Sequence, residues 1–308
     1  MTKRTVILYS FAVLLLALFF VDGPSYQAPR SLKAIWNLGH IGFFAVLVTL
    51  IPWQSPILKN RHWLVLFSMV ILLCGLLGAL IELGQYGIDR DVDWQDVYRD
   101  ILGGVLGFVF SPIIKTIANS FLYSLRIATL ILIVIELFPV GFALYDESLA
   151  RNQFPILADF ESSSELDRWQ GGASFEIVAQ PTVSGEKSLR IDLGTERYSG
   201  VNLKYFPGNW QNYQALRFNI YNPDEIPLTI TCRIHDLQHS RGYHLYNDRF
   251  NRRFVLAPGW NEIAIAIEDI IQSAKTRQIS IQEIDGIGLF VARLPAPRSI
   301  YLDSMRLE

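Results

Sequence analysis

The stretch FLYSLRIATLILIVIELFPVGFALYDES, Phe121 to Ser148, decides how this 308-residue chain is read. As far as Leu144 it is a nearly unbroken apolar run, long enough for a bilayer core of roughly 30 Å, which needs about 20 residues of helix. After Tyr145-Asp-Glu-Ser148 no such run recurs, and short alternating segments broken by Gly, Pro, Asn and Asp take over. The chain averages, 51% hydrophobic residues and a mean hydropathy of +0.26, therefore blend two halves of different character.

Upstream of Phe121 four further apolar spans are expected, Val6 to Val21, Ala34 to Pro52, His62 to Leu83 and Val97 to Ala118. The first follows Lys3 and Arg4 and has no small-x-small cleavage pattern before Asp22-Gly23-Pro24, so it reads as an uncleaved helix. With five spans, Lys3, Arg4, Lys59, Arg61, Lys115 and Arg126 gather at one set of ends and Arg30, Lys33, Arg90 and Arg99 at the other. The positive-inside bias then predicts a cytoplasmic amino terminus and an extracytoplasmic second half. The expected architecture is a membrane α-helical bundle over residues 1–145 and an all-β jelly-roll sandwich over residues 154–308. The expected location is the plasma (inner) membrane of a bacterium, with membrane lipid as a partner.

A net charge of −2 with no Lys/Arg-rich run argues against nucleic acid. Cys74 and Cys232 fall in different halves and predict no disulfide. No G-x-S-x-G elbow, Walker loop, C-x-x-C pair, H-E-x-x-H or G-x-G-x-x-G occurs. Neither a cofactor nor a metal is expected.

Polar residues in the apolar half are clustered. His40 lies in the second span, Glu82 and Gln85 end the third, and Arg90, Asp93, Asp96 and Asp100 lead into the fourth. Alternating helix direction brings them to one membrane face, the face of the second half. Asp93, Asp96, Asp100, Gly103 and Gly107 recur at helical spacing and share one side, and Gly103 and Gly107 form a small-xxx-small contact for a neighbouring helix. Ionisable groups at membrane depth are costly, which makes His40, Glu82, Gln85, Arg90, Asp93 and Asp96 candidate site residues. His40 is expected to pair with Glu82, and Arg90 or Arg99 with the carboxylates. The plain alternative for Asp93 and Asp96 is helix capping.

The pattern His40, Glu82-Leu-Gly-Gln85, Arg90-Asp-Val-Asp93-Trp-Gln-Asp96, Asp100 and Gly103-Gly-Val-Leu-Gly107 resembles VanZ-like membrane proteins over roughly residues 1–140. Asp100 stands where that family has asparagine, and Trp36-Asn37 replaces its Asp-Lys. The resemblance implies a cell-envelope setting and a link to tolerance of teicoplanin-type glycopeptide antibiotics.

In the second half, strands are expected at Ser174 to Gln180, Ser188 to Leu193, Ala215 to Tyr221, Leu228 to Ile234, Asn261 to Ile267, Ile287 to Val291 and Ser299 to Leu307, with a helix at Glu268 to Ala274. Leu157-Ala-Asp-Phe-Glu161, Pro258-Gly-Trp-Asn-Glu-Ile263 and Ile300-Tyr-Leu-Asp-Ser304 resemble galactose-binding-like jelly rolls, including carbohydrate-binding modules. Trp260 reads as a fold marker. A loop running through His235, Asp236, His239, Tyr246, Asp248, Arg249 and Asn251 is dense in hydrogen-bonding groups and rings, and is the candidate ligand site, Arg249 suiting carboxylates or phosphates. Its plain reading is an ordered connection in which Asp248 pairs with Arg249. A zinc site at His235, Asp236 and His239 is disfavoured, since adjacent strand residues face opposite ways. Trp169, Tyr198, Tyr205, Trp210 and Tyr213 are further stacking candidates.

The leading expectation is an envelope protein whose sandwich binds a cell-surface glycan or lipid-linked saccharide. A membrane-embedded enzyme using His40 or Glu82 as base is the second, and a partner-docking structural protein the third.

Overall fold

The computed structural model describes residues 27–51, 55–86, 93–111 and 119–308, with isolated positions before and between them. The chain divides into two compact units, Met1–Ala143 and Leu144–Glu308. The expected first span lies almost wholly outside the described residues, as do Arg90 and the side chain of Gln85.

The first unit holds α1 (Arg30–Thr49), α2 (Trp63–Tyr86), α3 (Trp94–Val109) and most of α4 (Asn119–Gln153). Among the described residues three helices, those containing Arg30–Thr49, Trp63–Gly84 and Ser120–Gln153, are long and apolar enough to cross a membrane. The fourth expected span is corrected here: α3 begins earlier, at Trp94, and stops after 16 residues, short of the roughly 20 a crossing needs. Its start is set by Asp93, whose side chain accepts from the Gln95 N–H at 2.8 Å.

Small residues decide how close α3 approaches its neighbours. A Cβ at Gly103 would run into the Ile41 carbonyl of α1, and one at Gly107 into the Ala45 carbonyl. On the α2 side a Cβ at Gly104 would strike Cys74 Sγ. Small residues at such positions let the helix backbones approach closely. Phe44, Val48, Val70, Cys74, Phe108 and Val109 fill the space between these helices.

The second unit is a β-sandwich. One sheet has the order β3 (Ser174–Val178), β4 (Ser188–Leu193), β11 (Arg298–Leu307), β6 (Ala215–Asn222), β9 (Gly259–Ala266), with β1 (Ile156–Ala158) also on β11. The other has the order β2 (Trp169–Gly171), β5 (Ser199–Leu203), β10 (Ile284–Val291), β7 (Leu228–Asp236), β8 (Phe250–Leu256). Pairing is antiparallel throughout. Period-2 alternation sends Leu216, Phe218 and Ile220 of β6 and Ile230, Cys232 and Ile234 of β7 into one buried core with Ile287, Leu289, Ile300 and Leu302. Each such side chain is worth about 1.5–3 kcal/mol. Two short helices, α5 (Leu237–Arg241) and α6 (Ile267–Ile271), follow β7 and β9.

The second unit begins inside α4. Asp146, near the end of that helix, takes a forked ion pair from Arg168 (2.9–3.0 Å) and a hydrogen bond from the Ser164 hydroxyl (2.7 Å). Both charges are buried, so each supplies the partner the other requires.

Candidate functional site

The outer face of the five-stranded sheet is hollow because its middle strand lacks side chains there. On β10 the outward positions are Gly286, Gly288 and Phe290, the inward ones Ile287, Leu289 and Val291. A Cβ at Gly288 would meet Asn202 Oδ1 and Arg233 Nε, and one at Gly286 would strike the His235 ring. Arg233 of β7 therefore lies across the glycine floor and donates to Asn202 Oδ1 of β5 at 2.5 Å.

The resulting groove has a volume of about 750 Å³. Arg233, Arg249 and Arg253 line it, and among the described residues no carboxylate does. Among the described residues none of these three guanidiniums has a carboxylate in an ion pair, and the buried Nε atoms of Arg233 and Arg249 have no hydrogen-bond partner. Burial pushes both below the ordinary arginine value, Arg249 adding to the effect at Arg233. Rings frame the cations: Arg233 sits 6.0 Å from the Phe290 ring centre and Arg249 5.7 Å from that of Tyr246. Tyr198 meets Phe290 edge-on at 5.9 Å.

Of the expected loop residues, Tyr246, Arg249 and Asn251 line this groove. Asn251 sits on strand β8 rather than in a loop, a correction whose cause is composition: Phe250-Asn-Arg-Arg reads as polar connection, yet Phe250 packs inward while Asn251 and Arg253 face out. Asp236, His239 and Asp248 form a different constellation. Arg277 reaches Asp236 at 2.5 and 2.8 Å and Asp248 at 2.5 and 3.1 Å. Asp236 also accepts from the His239 and Ser280 N–H groups, and His239 Nδ1 lies 3.3 Å from Asp248. Burial opposes ionisation of Asp236, but Arg277 and the two N–H groups outweigh it and hold the carboxyl below its ordinary value. Arg277 thus replaces Arg249 as the partner expected for Asp248, and the three residues lock a loop.

His235 is on the groove side of β7 and Asp236 on the other, as the strand period requires. Burial, aided by Arg233, pushes the His235 imidazole down to about 3. Trp169 and Trp210 are core residues, Tyr213 packs edge-on against Phe154, and Trp260 lies against Tyr221 on the outer face of the six-stranded sheet.

In the helical unit the structure brings together His40, Glu82, Asp96 and Asp100, all buried. The expected His40–Glu82 pair is replaced: His40 Nδ1 stands 2.8 Å from Asp100 Oδ1, and Nε2 stands 3.4 Å from Asp96 Oδ2. Gly78 leaves the space that the Asp100 carboxylate occupies. Glu82 Oε2 instead accepts from the Asp93 N–H at 2.8 Å. Arg99 pairs with Asp96 at 2.6 Å and with Glu136 of α4 at 2.8 Å.

No protein-family model and no curated protein matches the chain. Solved structures similar to it include the family 11 carbohydrate-binding module from Clostridium thermocellum in complex with a β-1,3-1,4-mixed-linked tetrasaccharide. That likeness has 18% identity and a TM-score of 0.39 over 49% of this chain and 93% of the module. An exo-β-agarase is similar at 15% identity and a TM-score of 0.40, over 50% of this chain and 24% of its own. The xylan-binding domain of family 22 is similar at 13% identity and a TM-score of 0.33, over 48% of this chain and 90% of its own. The likeness lies in the sandwich half.

Proposed function

We propose that the sandwich binds an anionic saccharide in the groove of its five-stranded sheet, and that the apolar helices hold the chain in a bacterial inner membrane with the sandwich outside the cytoplasm. The observation that carries the saccharide reading is the charge imbalance of the groove: Arg233, Arg249 and Arg253 line it without a carboxylate. Planar guanidinium forks match carboxylate, sulfate or phosphate groups in two bonds at once. Phe290, Tyr198 and Tyr246 offer faces to the apolar side of a sugar ring, and Asn202, Thr231 and Asn251 offer its hydroxyls both donors and acceptors. An acidic glycan or the anionic head of a lipid-linked saccharide has this combination. Action on glycopeptide tolerance would follow from occupancy of such an envelope ligand.

The test is calorimetric titration of the full chain in detergent with oligogalacturonate and, separately, with the neutral mixed-linked β-glucan. Binding of the acidic oligosaccharide, weakened at least tenfold in Arg233→Ala and falling with salt, is the expected result. Equal binding of the neutral glucan, unaffected by Arg233→Ala, or no binding of either, would remove the reading.

A further inference from the structure

The buried cluster of the helical unit has more acid than its described partners neutralise. Glu82, Asp96 and Asp100 are 1%, 6% and 0% exposed, and His40 is 3% exposed. Among the described residues Arg99 is the cation paired with Asp96, and it divides itself between Asp96 and Glu136. Among the described residues, two carboxylate oxygens, Glu82 Oε1 and Asp100 Oδ2, are buried without a hydrogen-bond partner. Unpaired carboxylate oxygens in so dry a place are expensive unless something positive meets them.

The orientation of the histidine says what that is. A carboxylate accepts, so Asp100 takes the Nδ1–H, and Nε2 then faces Asp96 Oδ2 at 3.4 Å. No hydrogen bond joins Nε2 to that carboxylate among the described residues, and a proton or a metal ion between the two is what would make the contact favourable. Carboxylate–imidazole–metal is the arrangement that fixes the tautomer of a metal-bound histidine. One ligand atom each from His40, Glu82 and Asp96 lie within 4.8 Å of one another. Ligands about 2.0–2.2 Å from a tetrahedral zinc stand roughly 3.4 Å apart, and His40 Nε2 and Asp96 Oδ2 already have that spacing, 3.4 Å. The remaining oxygens are held from behind, Asp96 Oδ1 by Arg99 and Glu82 Oε2 by the Asp93 N–H.

We propose that His40, Glu82 and Asp96 bind one divalent transition-metal ion of the zinc class, with Asp100 orienting His40. Three protein ligands of nitrogen and oxygen leave a coordination position open, the pattern of zinc sites that act on a bound water or anionic oxygen rather than of purely structural ones. The site is independent of the saccharide groove and stands or falls separately from it.

The experiment uses the full chain in detergent, stripped with chelator and titrated with Co²⁺ and then Zn²⁺. Uptake of one tight equivalent is expected, with visible d–d absorption of a low-coordinate cobalt and an X-ray absorption signature of one imidazole among nitrogen and oxygen ligands. Glu82→Gln, which can still accept from the Asp93 N–H, is expected to lose that equivalent, and Asp100→Asn to weaken it about 10–100-fold while keeping the spectrum. Absence of tight uptake by the unaltered chain overturns the proposal. So does a shell with sulfur, or with two or more imidazoles, which would move the ion to Cys74 or to the sandwich histidines. Unchanged uptake by a folded Glu82→Gln chain overturns it as well.

Discussion

Two neighbouring regions at the end of β7 use arginine in opposite ways. Around Arg277 every strong group is matched: two carboxylates share one guanidinium, and backbone N–H groups take the remaining Asp236 lone pairs. In the groove, three guanidiniums line the wall, and among the described residues none of them has a carboxylate partner. A saturated network stabilises the fold, because removing any member strands a buried charge. An unsaturated one does little for the fold and is available to a ligand. Saturation, rather than residue type, separates the structural from the binding members of a stretch in which His235, Asp236, His239, Asp248 and Arg249 look alike in sequence.

The most damaging way to test that division is Arg277→Ala. It leaves the buried Asp236 carboxylate with two N–H donors and no cation, and a broken buried pair typically costs about 3–5 kcal/mol. Thermal unfolding of the sandwich followed by near-ultraviolet circular dichroism is expected to fall by roughly 2–4 °C per kcal/mol. Arg233→Ala, by contrast, is expected to leave the midpoint nearly unchanged. Equal destabilisation by both would erase the distinction.

The contrast also explains how far the amino-acid order could be read. Segments that bury one face, such as Ala215–Asn222 and Leu228–Asp236, declare themselves by Leu, Phe and Ile at every second position. Strand β8 does not, since its outward residues serve the groove and its Asn-Arg-Arg run imitates a loop. Strand β5 hides in the same way behind Ser199 and Gly200. The groove floor is invisible in the sequence because it consists of side chains that are missing, at Gly286 and Gly288, and glycine carries no signal of what lies over it. In the helical unit the i, i+3, i+7 spacing places Asp93, Asp96 and Asp100 on one side of α3. The rotation of α1 that turns His40 to Asp100 instead of Glu82 depends on Ile41 and Ala45 seating on Gly103 and Gly107. Periodicity within one helix says nothing of that register.

A second, smaller effect sharpens the comparison through pH. His235, on the groove side, is held near 3 by burial and by Arg233. The unfolded chain binds the proton at about 6.5, so its stabilising effect is complete above that value and is lost as pH falls through 6.5 toward 3. At pH 5 the loss amounts to about 2 kcal/mol. His235→Gln is expected to flatten the decline of the unfolding midpoint between pH 7 and 5. A remnant persists from His239, which burial also holds below its ordinary value. Asp236 acts only lower, where pH falls below the ordinary carboxylate range of about 4, so a slope that begins at pH 4 rather than 6.5 would assign the effect to Asp236 instead.

The finest test alters the groove without replacing any of its polar groups. Gly288→Ala adds one methyl at the point where Arg233 crosses β10, and that methyl meets Arg233 Nε and Asn202 Oδ1. The guanidinium must lift from the floor and its bond to Asn202 lengthens. Because the fold does not depend on that bond while the ligand depends on the angle of the fork, affinity for the acidic oligosaccharide is expected to drop about tenfold, or 1.4 kcal/mol. The folding stability is expected to change by about 1 kcal/mol or less, since alanine suits a strand interior better than glycine does. Full affinity in Gly288→Ala would mean that Arg233 is not held against the floor when ligand is bound, and that Arg249 and Arg253 carry the recognition alone.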